Sequence, residues 1–136
     1  MIVYTDSLEG ITADALRGGF FVGWPNPPDT ETHLRLLKGS DHVLLALDDA
    51  TGNAVGFVTA ISDGVTCAYI SHLEVLPPYQ GRGIGMELMR RMLEALRELY
   101  MIDLLCDEEV QPFYARLGMR RAAGMMVRNY DRQSGS

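Results

Sequence analysis

The chain has 136 residues, 47% hydrophobic and 22% charged, the proportions of one ordinary globular domain with no room for a second core. Twelve basic against eighteen acidic side chains leave a net charge of −6. That balance excludes a non-specific nucleic-acid binder, whose affinity comes from Lys and Arg neutralising phosphates.

No apolar run reaches the roughly 18 residues needed to span a bilayer. The opening MIVYTDSLEG lacks the basic flank and apolar core of a secretion signal, so a cytoplasmic location and no membrane partner are expected. Cys67 and Cys106 show no CxxC spacing, and His33, His42 and His72 fall in unrelated segments, so no metal site is expected.

In chain order, Ile2 to Thr5 reads as a short strand. Thr12 reads as the N-cap of a helix through Ala13, Ala15 and Leu16, stopped by Gly18-Gly19. The segment Phe20 to Pro28 is too rich in proline for regular structure. Asp29 or Thr30 opens a second helix through Leu34, Leu36 and Leu37, ended by Gly39. His42 to Leu47 and Ala54 to Ile61 form a hairpin, and Asp63-Gly64 turns into a long strand, Val65 to Val75.

From Ile84 to about Tyr100 the apolar residues Leu88, Met89, Met92, Leu93, Leu96 and Leu99 recur at helical spacing. Met101 to Cys106, apolar except for Asp103, reads as a central strand. A short helix spans Val110 to Leu117, and Met119 to Tyr130 holds one or two closing strands. The order predicts an α/β (α+β type) single domain over residues 1–130, with a flexible tail at 131–136. Its mixed central sheet should have about six or seven strands flanked by about four helices.

Between the long strand and the long helix lies Gln80-Gly81-Arg82-Gly83-Ile84-Gly85. Three glycines let the chain turn closely and bare its amides, and the helix N-terminus adds its dipole, a combination suited to phosphate or pyrophosphate. The Lys-Ser/Thr of a P-loop is absent, and the GxGxG spacing is not the dinucleotide fingerprint.

The run Leu73-Glu74-Val75-Leu76-Pro77-Pro78-Tyr79-Gln80-Gly81-Arg82-Gly83-Ile84-Gly85 resembles the acyl-CoA-binding motif of the GNAT superfamily of N-acetyltransferases, with Gln80, Gly83 and Gly85 in its three defining places. Downstream, Pro112-Phe113-Tyr114-Ala115-Arg116-Leu117-Gly118-Met119 is similar to that family's second signature, Met119 replacing the usual Phe. Glu108 stands where the family often has Asn. One helix and one strand separate the two motifs, as the family requires, and the resemblance runs from Ile2 to about Tyr130.

The resemblance implies acetyl-CoA as co-substrate, with no metal, lying where two strands splay apart. Its pantetheine arm would pair with backbone groups of Leu73 and Val75, and its pyrophosphate would rest on the amides of Gly81, Arg82, Gly83, Ile84, Gly85 and Met86. Arg82 and Arg90 could assist. It implies attack of a small-molecule or peptide amine on the thioester, with Tyr114 as the acid that protonates the leaving thiolate.

An alkylamine is neutral in on the order of one molecule in a thousand at pH 7, a cost of roughly 4 kcal/mol, so a base or water chain is needed. Regular alternation places Tyr69 and Ser71 on the face of Val75, where family bases lie, and His72 and Glu74 on the other unless a bulge intervenes. A water held by Ser71 or Tyr69 is therefore the expected base. Phe20, Phe21 and Trp24 could wall the acceptor pocket. The alternative is a non-catalytic acyl-CoA-binding module of the same fold. A closing strand at Met125 to Tyr130 would suit a homodimer.

Overall fold

In the computed structural model, which describes all 136 residues, Ile2–Thr5 (β1), His42–Asp48 (β2), Asn53–Ser62 (β3), Cys67–Val75 (β4) and Met101–Asp103 (β5) form one sheet in sequence order. The first three junctions are antiparallel. The fourth is parallel, closed by the crossover helix Ile84–Ala95 (α2), so the sheet is mixed, as the element order predicts. Helix Thr30–Gly39 (α1) packs on the other face, and Gln111–Ala115 (α3) follows β5.

Along β2 alternation sends Leu44 and Ala46 to the α2 face and Val43 and Leu45 to the α1 face. Each face buries its own cluster. One joins Val58, Ala60, Ile84, Leu88, Met89 and Met92. The other joins Leu16, Phe21, Leu37 and Phe57. Gly56 is the point of closest approach: a β-carbon there would lie 3.2 Å from both Glu74 O and Leu88 Cδ1.

Local chemistry sets the element limits. The Asp29 carboxylate accepts from Thr32 N–H at 2.8 Å and starts α1 at Thr30. The Asp63 carboxylate collects N–H groups from Val65, Thr66 and Cys67, which trims β4 to begin at Cys67 and holds this carboxyl far below its usual range. Helix α2 ends at Ala95 rather than near Tyr100, because 3₁₀-type bonds such as Leu99 N–H to Leu96 O turn the chain toward β5.

The sheet is smaller than the predicted six or seven strands. Ala13–Leu16 forms a single 3₁₀ turn in which the Thr12 carbonyl accepts the Ala15 N–H but its side chain makes no cap bond, four residues being too few to nucleate an α-helix before Gly18-Gly19. β5 is the outermost strand, not a central one, and only three of its residues pair. The expected closing strands are absent. No residue from Arg120 to Arg128 gives or receives a backbone hydrogen bond, although that stretch is exposed throughout. The end of the chain is nevertheless tied down: Asn26 N–H donates to Gln133 Oε1 at 3.0 Å.

His33 of α1 is 1% exposed among Phe20, Phe21 and Phe57, and its Nε2 has no partner. Burial, with a smaller push from His72, lowers it from 6.5 to about 4. The unfolded chain therefore binds the proton more readily, so stability is full above about pH 6.5 and falls as pH drops toward 4. Urea unfolding should show a loss of about 2 kcal/mol between pH 7 and 5 from this residue. His33→Leu should remove most of that slope.

Candidate active site

β4 and β5 pair only at Cys67–Met101, Ala68–Ile102 and Tyr69–Asp103. Beyond that point β4 runs on to Val75 with no neighbour on its β5 side. Leu76 N–H donates to Val55 O, so alternation turns the backbone groups of Leu73 and Val75 away from β3 and into the gap. The Gln80 side chain donates to Val75 O at 2.9 Å, fastening the following loop to the end of this open edge.

That loop presents amides. Gly81 and Gly83 have φ of +78° and +81°, a left-handed backbone that costs other residues about 1–2 kcal/mol. Nothing lies within 4 Å of a β-carbon built at either position, so the turn itself requires glycine there. Gly85 differs: its added β-carbon would make ordinary 3.6 Å contacts with Phe113 and Val75. From Gly81 to Met86 no N–H donates within the chain, and Gly83 caps α2 without a side chain. These donors and the helix dipole converge where the gap ends. Arg82 lies over the Tyr79 ring, at 5.2 Å, with no carboxylate partner, whereas Arg90 is engaged by Glu87.

A bulge reshapes the other side of β4. Thr59 pairs with His72 and Ala60 with Ile70, leaving Ser71 as the extra residue. The alternation inverts there. Ala68 and Ile70 share the α2 core with Leu73 and Val75. His72 and Glu74 therefore face α1, and the expected grouping of Tyr69 and Ser71 with Val75 does not hold. Ser71 instead reaches Thr59 Oγ1 at 2.8 Å, and Tyr69 is 39% exposed beside the last paired residues.

Glu74 is a clamp. Its carboxylate accepts N–H groups from Phe21 at 2.8 Å and Val22 at 3.3 Å, holding Phe21 at φ +64°. Phe21 in turn packs on Trp24 and His33. His72 lies under this aromatic wall, with Nδ1 3.0 Å from Thr59 Oγ1. Thr59 Oγ1 bridges Ser71 Oγ and His72 Nδ1, and Ser71 Oγ also lies 3.5 Å from the Thr59 carbonyl. In the tautomer with hydrogen on Nδ1, the His72 Nδ1–H donates to Thr59 and the Thr59 hydroxyl to Ser71. Nε2 of His72 keeps its lone pair, and burial lowers the ring's pKa, so the imidazole is neutral at pH 7.

His72 lines a cavity of about 400 Å³ with Trp24, Thr32, Arg35, Leu36 and Gln133. A larger cavity, about 540 Å³, lies against the C-terminal half of α2 at Arg91–Ala95 and holds none of the predicted residues. Tyr114 is half-buried against the α2-side cluster, and burial, then the Cys106 thiol, raises its phenol above 10. The structure thus groups Leu73, Val75 and Gln80 to Met86 along one edge, and puts Trp24 in the lining of the cavity that His72 also borders. The site residues not selected from the sequence are His72, Glu74 and Thr59; His72 and Glu74 lie opposite Val75, as regular alternation predicts, and the bulge, which has no local signature, instead takes Tyr69 and Ser71 off the face of Val75. Glu74→Ala should cost about 2 kcal/mol in urea unfolding and shift the emission of Trp24, while Glu74→Gln, which keeps an acceptor oxygen, should cost less than half as much.

The model of the Acetyltransferase (GNAT) family matches residues 11–119. The uncharacterized N-acetyltransferase ycf52 of Pyropia yezoensis is 32% identical over 100 residues, covering 71% of this chain and 58% of its own. The chain therefore spans little more than half the length of this curated relative. A crystal structure from Deinococcus radiodurans R1 superposes with a TM-score of 0.94 at 48% identity, covering 98% of this chain and 92% of that one. The GNAT family acetyltransferase SP0256 of Streptococcus pneumoniae TIGR4 gives 0.73 at 31%, covering 95% and 98%. With an open strand edge running into a glycine-turned helix start, and a family model matched across most of its length, the chain belongs to the GNAT family of acetyltransferases.

Proposed function

We propose that the protein moves the acetyl group of acetyl-CoA to the amine of a small molecule or peptide by direct attack. The observation that carries this reading is the continuity of the unpaired β4 edge, Ile70 to Val75, with the free amides of Gly81 to Met86. An extended amide-bearing arm fits the first, as an added strand would. A pyrophosphate fits the second. The acceptor enters from the α1 side, into the cavity under Trp24.

His72 Nε2 takes the proton that the ammonium must lose, and its Nδ1–H stays anchored on Thr59. The amine nitrogen forms the new C–N bond as the C–S bond breaks. The Tyr114 phenol, kept protonated by burial, gives its proton to the departing sulfur, and the second proton that the nitrogen sheds on becoming an amide restores the phenol. Ser71 contributes through its bond to Thr59, and Tyr69 stands at the point where the β4 edge opens. The net charge of −6 favours a cationic acceptor approaching from solution.

The test is release of free CoA thiol from acetyl-CoA across a panel of small amines and peptides, alongside calorimetric binding of acetyl-CoA. Turnover with at least one amine is expected. Tight binding without turnover on any amine would instead favour the non-catalytic module. Gly83→Val should abolish binding, because a branched side chain strains the left-handed turn.

Tyr114→Phe should lower kcat by about ten- to a hundredfold with binding nearly unchanged. For His72 the sign follows from its lowered pKa: the base is lost on protonation, so kcat/KM should fall only as pH drops below about 6.5. His72→Gln should flatten that limb and cut kcat/KM by about a hundredfold. A limb unchanged in the variant would remove His72 from the chemistry.

A further inference from the structure

The cavity that His72 borders is assembled from segments far apart in sequence. Thr32, Arg35 and Leu36 stand three and four residues apart, so one face of α1 forms its floor. Trp24 and Pro28 come from the aromatic loop, and Gln133 and Gly135 from the end of the chain. That end is closely fitted. A β-carbon on Gly135 would lie 2.8 Å from Thr32 Cγ2, and Gln133 Oε1 holds the Asn26 N–H at 3.0 Å. At about 400 Å³ the cavity lies toward the small end of ligand sites, which run from about 300 to 1,000 Å³.

Its charge is the reverse of the chain's. The net charge is −6, yet none of the eight lining residues is a carboxylate, and Arg35 carries their only permanent charge. The Arg35 guanidinium forms no ion pair and lies over no aromatic ring. The Asp29 carboxylate feels its charge but is engaged at the helix cap by Thr32. Gln133 adds a second donor: with Oε1 spent on Asn26, its two Nε2 hydrogens are the free end. A planar guanidinium fork and an amide, with no acid competing for them, are the complement of a carboxylate. A phosphate ester, at about −2, would exceed the single charge that Arg35 can offset. The same cavity is bordered by His72, whose Nδ1 is anchored on Thr59.

Building on the acetyl-transfer reading above, we propose that this cavity takes a small amino carboxylate as the acceptor. Arg35 and Gln133 hold the carboxylate, and the amine faces His72 Nε2. The chain's net charge still draws the ammonium end of such a zwitterion, while the cavity selects its other end. Arg35 and Gln133 therefore determine specificity and take no part in the proton transfers.

Leucine, phenylalanine, β-alanine and γ-aminobutyrate, each beside its carboxamide, test this on the protein saturated with CoA. Binding is read by calorimetry and by the emission of Trp24, the single tryptophan. At least one acid should bind ten- to a hundredfold more tightly than its carboxamide and perturb that emission. In acetyl transfer the same ratio should appear in KM, even though the amine of an α-carboxamide is the less basic and the more often neutral at pH 7. Arg35 is exposed, so its variants keep the fold. Arg35→Gln should bring each acid down to its carboxamide, leaving carboxamide and acetyl-CoA affinities unchanged, and Arg35→Glu should reverse the preference. Gln133→Glu, which keeps an oxygen for Asn26 and puts a negative charge in the cavity, should lose it too. Acids that fail to bind, amines acetylated without regard to a carboxylate, or an Arg35→Gln that weakens acids and carboxamides alike would overturn this site and leave acetyl transfer intact. Acids that bind through Arg35 and are never acetylated would uphold the site and remove the acetyl-transfer reading instead.

Discussion

Everything at the site depends on the parting of β4 and β5. Parallel strands normally stay paired, and these separate after three residues. The separation leaves backbone donors and acceptors on β4 with no internal partner, a cost that most sheets avoid by closing or covering their edges. Here the exposed edge is followed at once by Pro77-Pro78 and the glycine turn, so unpaired strand amides and unpaired helix amides lie end to end. The recognition surface is therefore mostly main chain, and its shape is set by φ values rather than by side-chain identity.

The Ser71 bulge divides labour on the same strand. Before it and after it, opposite parities face the α2 core, so β4 keeps a continuous apolar face despite the extra residue. The cost of the bulge is an unpaired register position, and its effect is that Ala68 and Ile70 share the α2 side with Leu73 and Val75 while His72 and Glu74 face α1. Glu74 then organises the loop at Phe21-Val22, and His72 is anchored on the Thr59 hydroxyl, itself bonded to Ser71. A single strand thus presents main chain along one edge and side chains on one face.

Much of this architecture was legible in the residues. The glycine turn, the helical period from Ile84, the Asp29 cap and the two family-like motifs were local signals, and their order implied the crossover. What escaped was non-local. A bulge depends on the register between β3 and β4, and no residue type marks Ser71 as its site. The extent of β5 depends on where neighbours diverge, so an apolar run suited to a central strand sits at an edge. The closing strand illustrates the same limit: Met125 to Tyr130 has strand-forming residues, but no other strand of the chain pairs with it.

Gly56 carries a consequence beyond packing. It is the spacer between sheet and helix, with Glu74 O, Leu88 and Ile84 all within 3.4 Å of where a side chain would begin. One methyl group there would act as a wedge under the first turn of α2, tilting the glycine turn against the strand it must align with. The same wedge would push on the main chain of Glu74, whose carboxylate holds the aromatic loop. A position away from both the glycine turn and the aromatic loop thus sets the spacing between them, and its lack of a side chain is what keeps strand and helix in register.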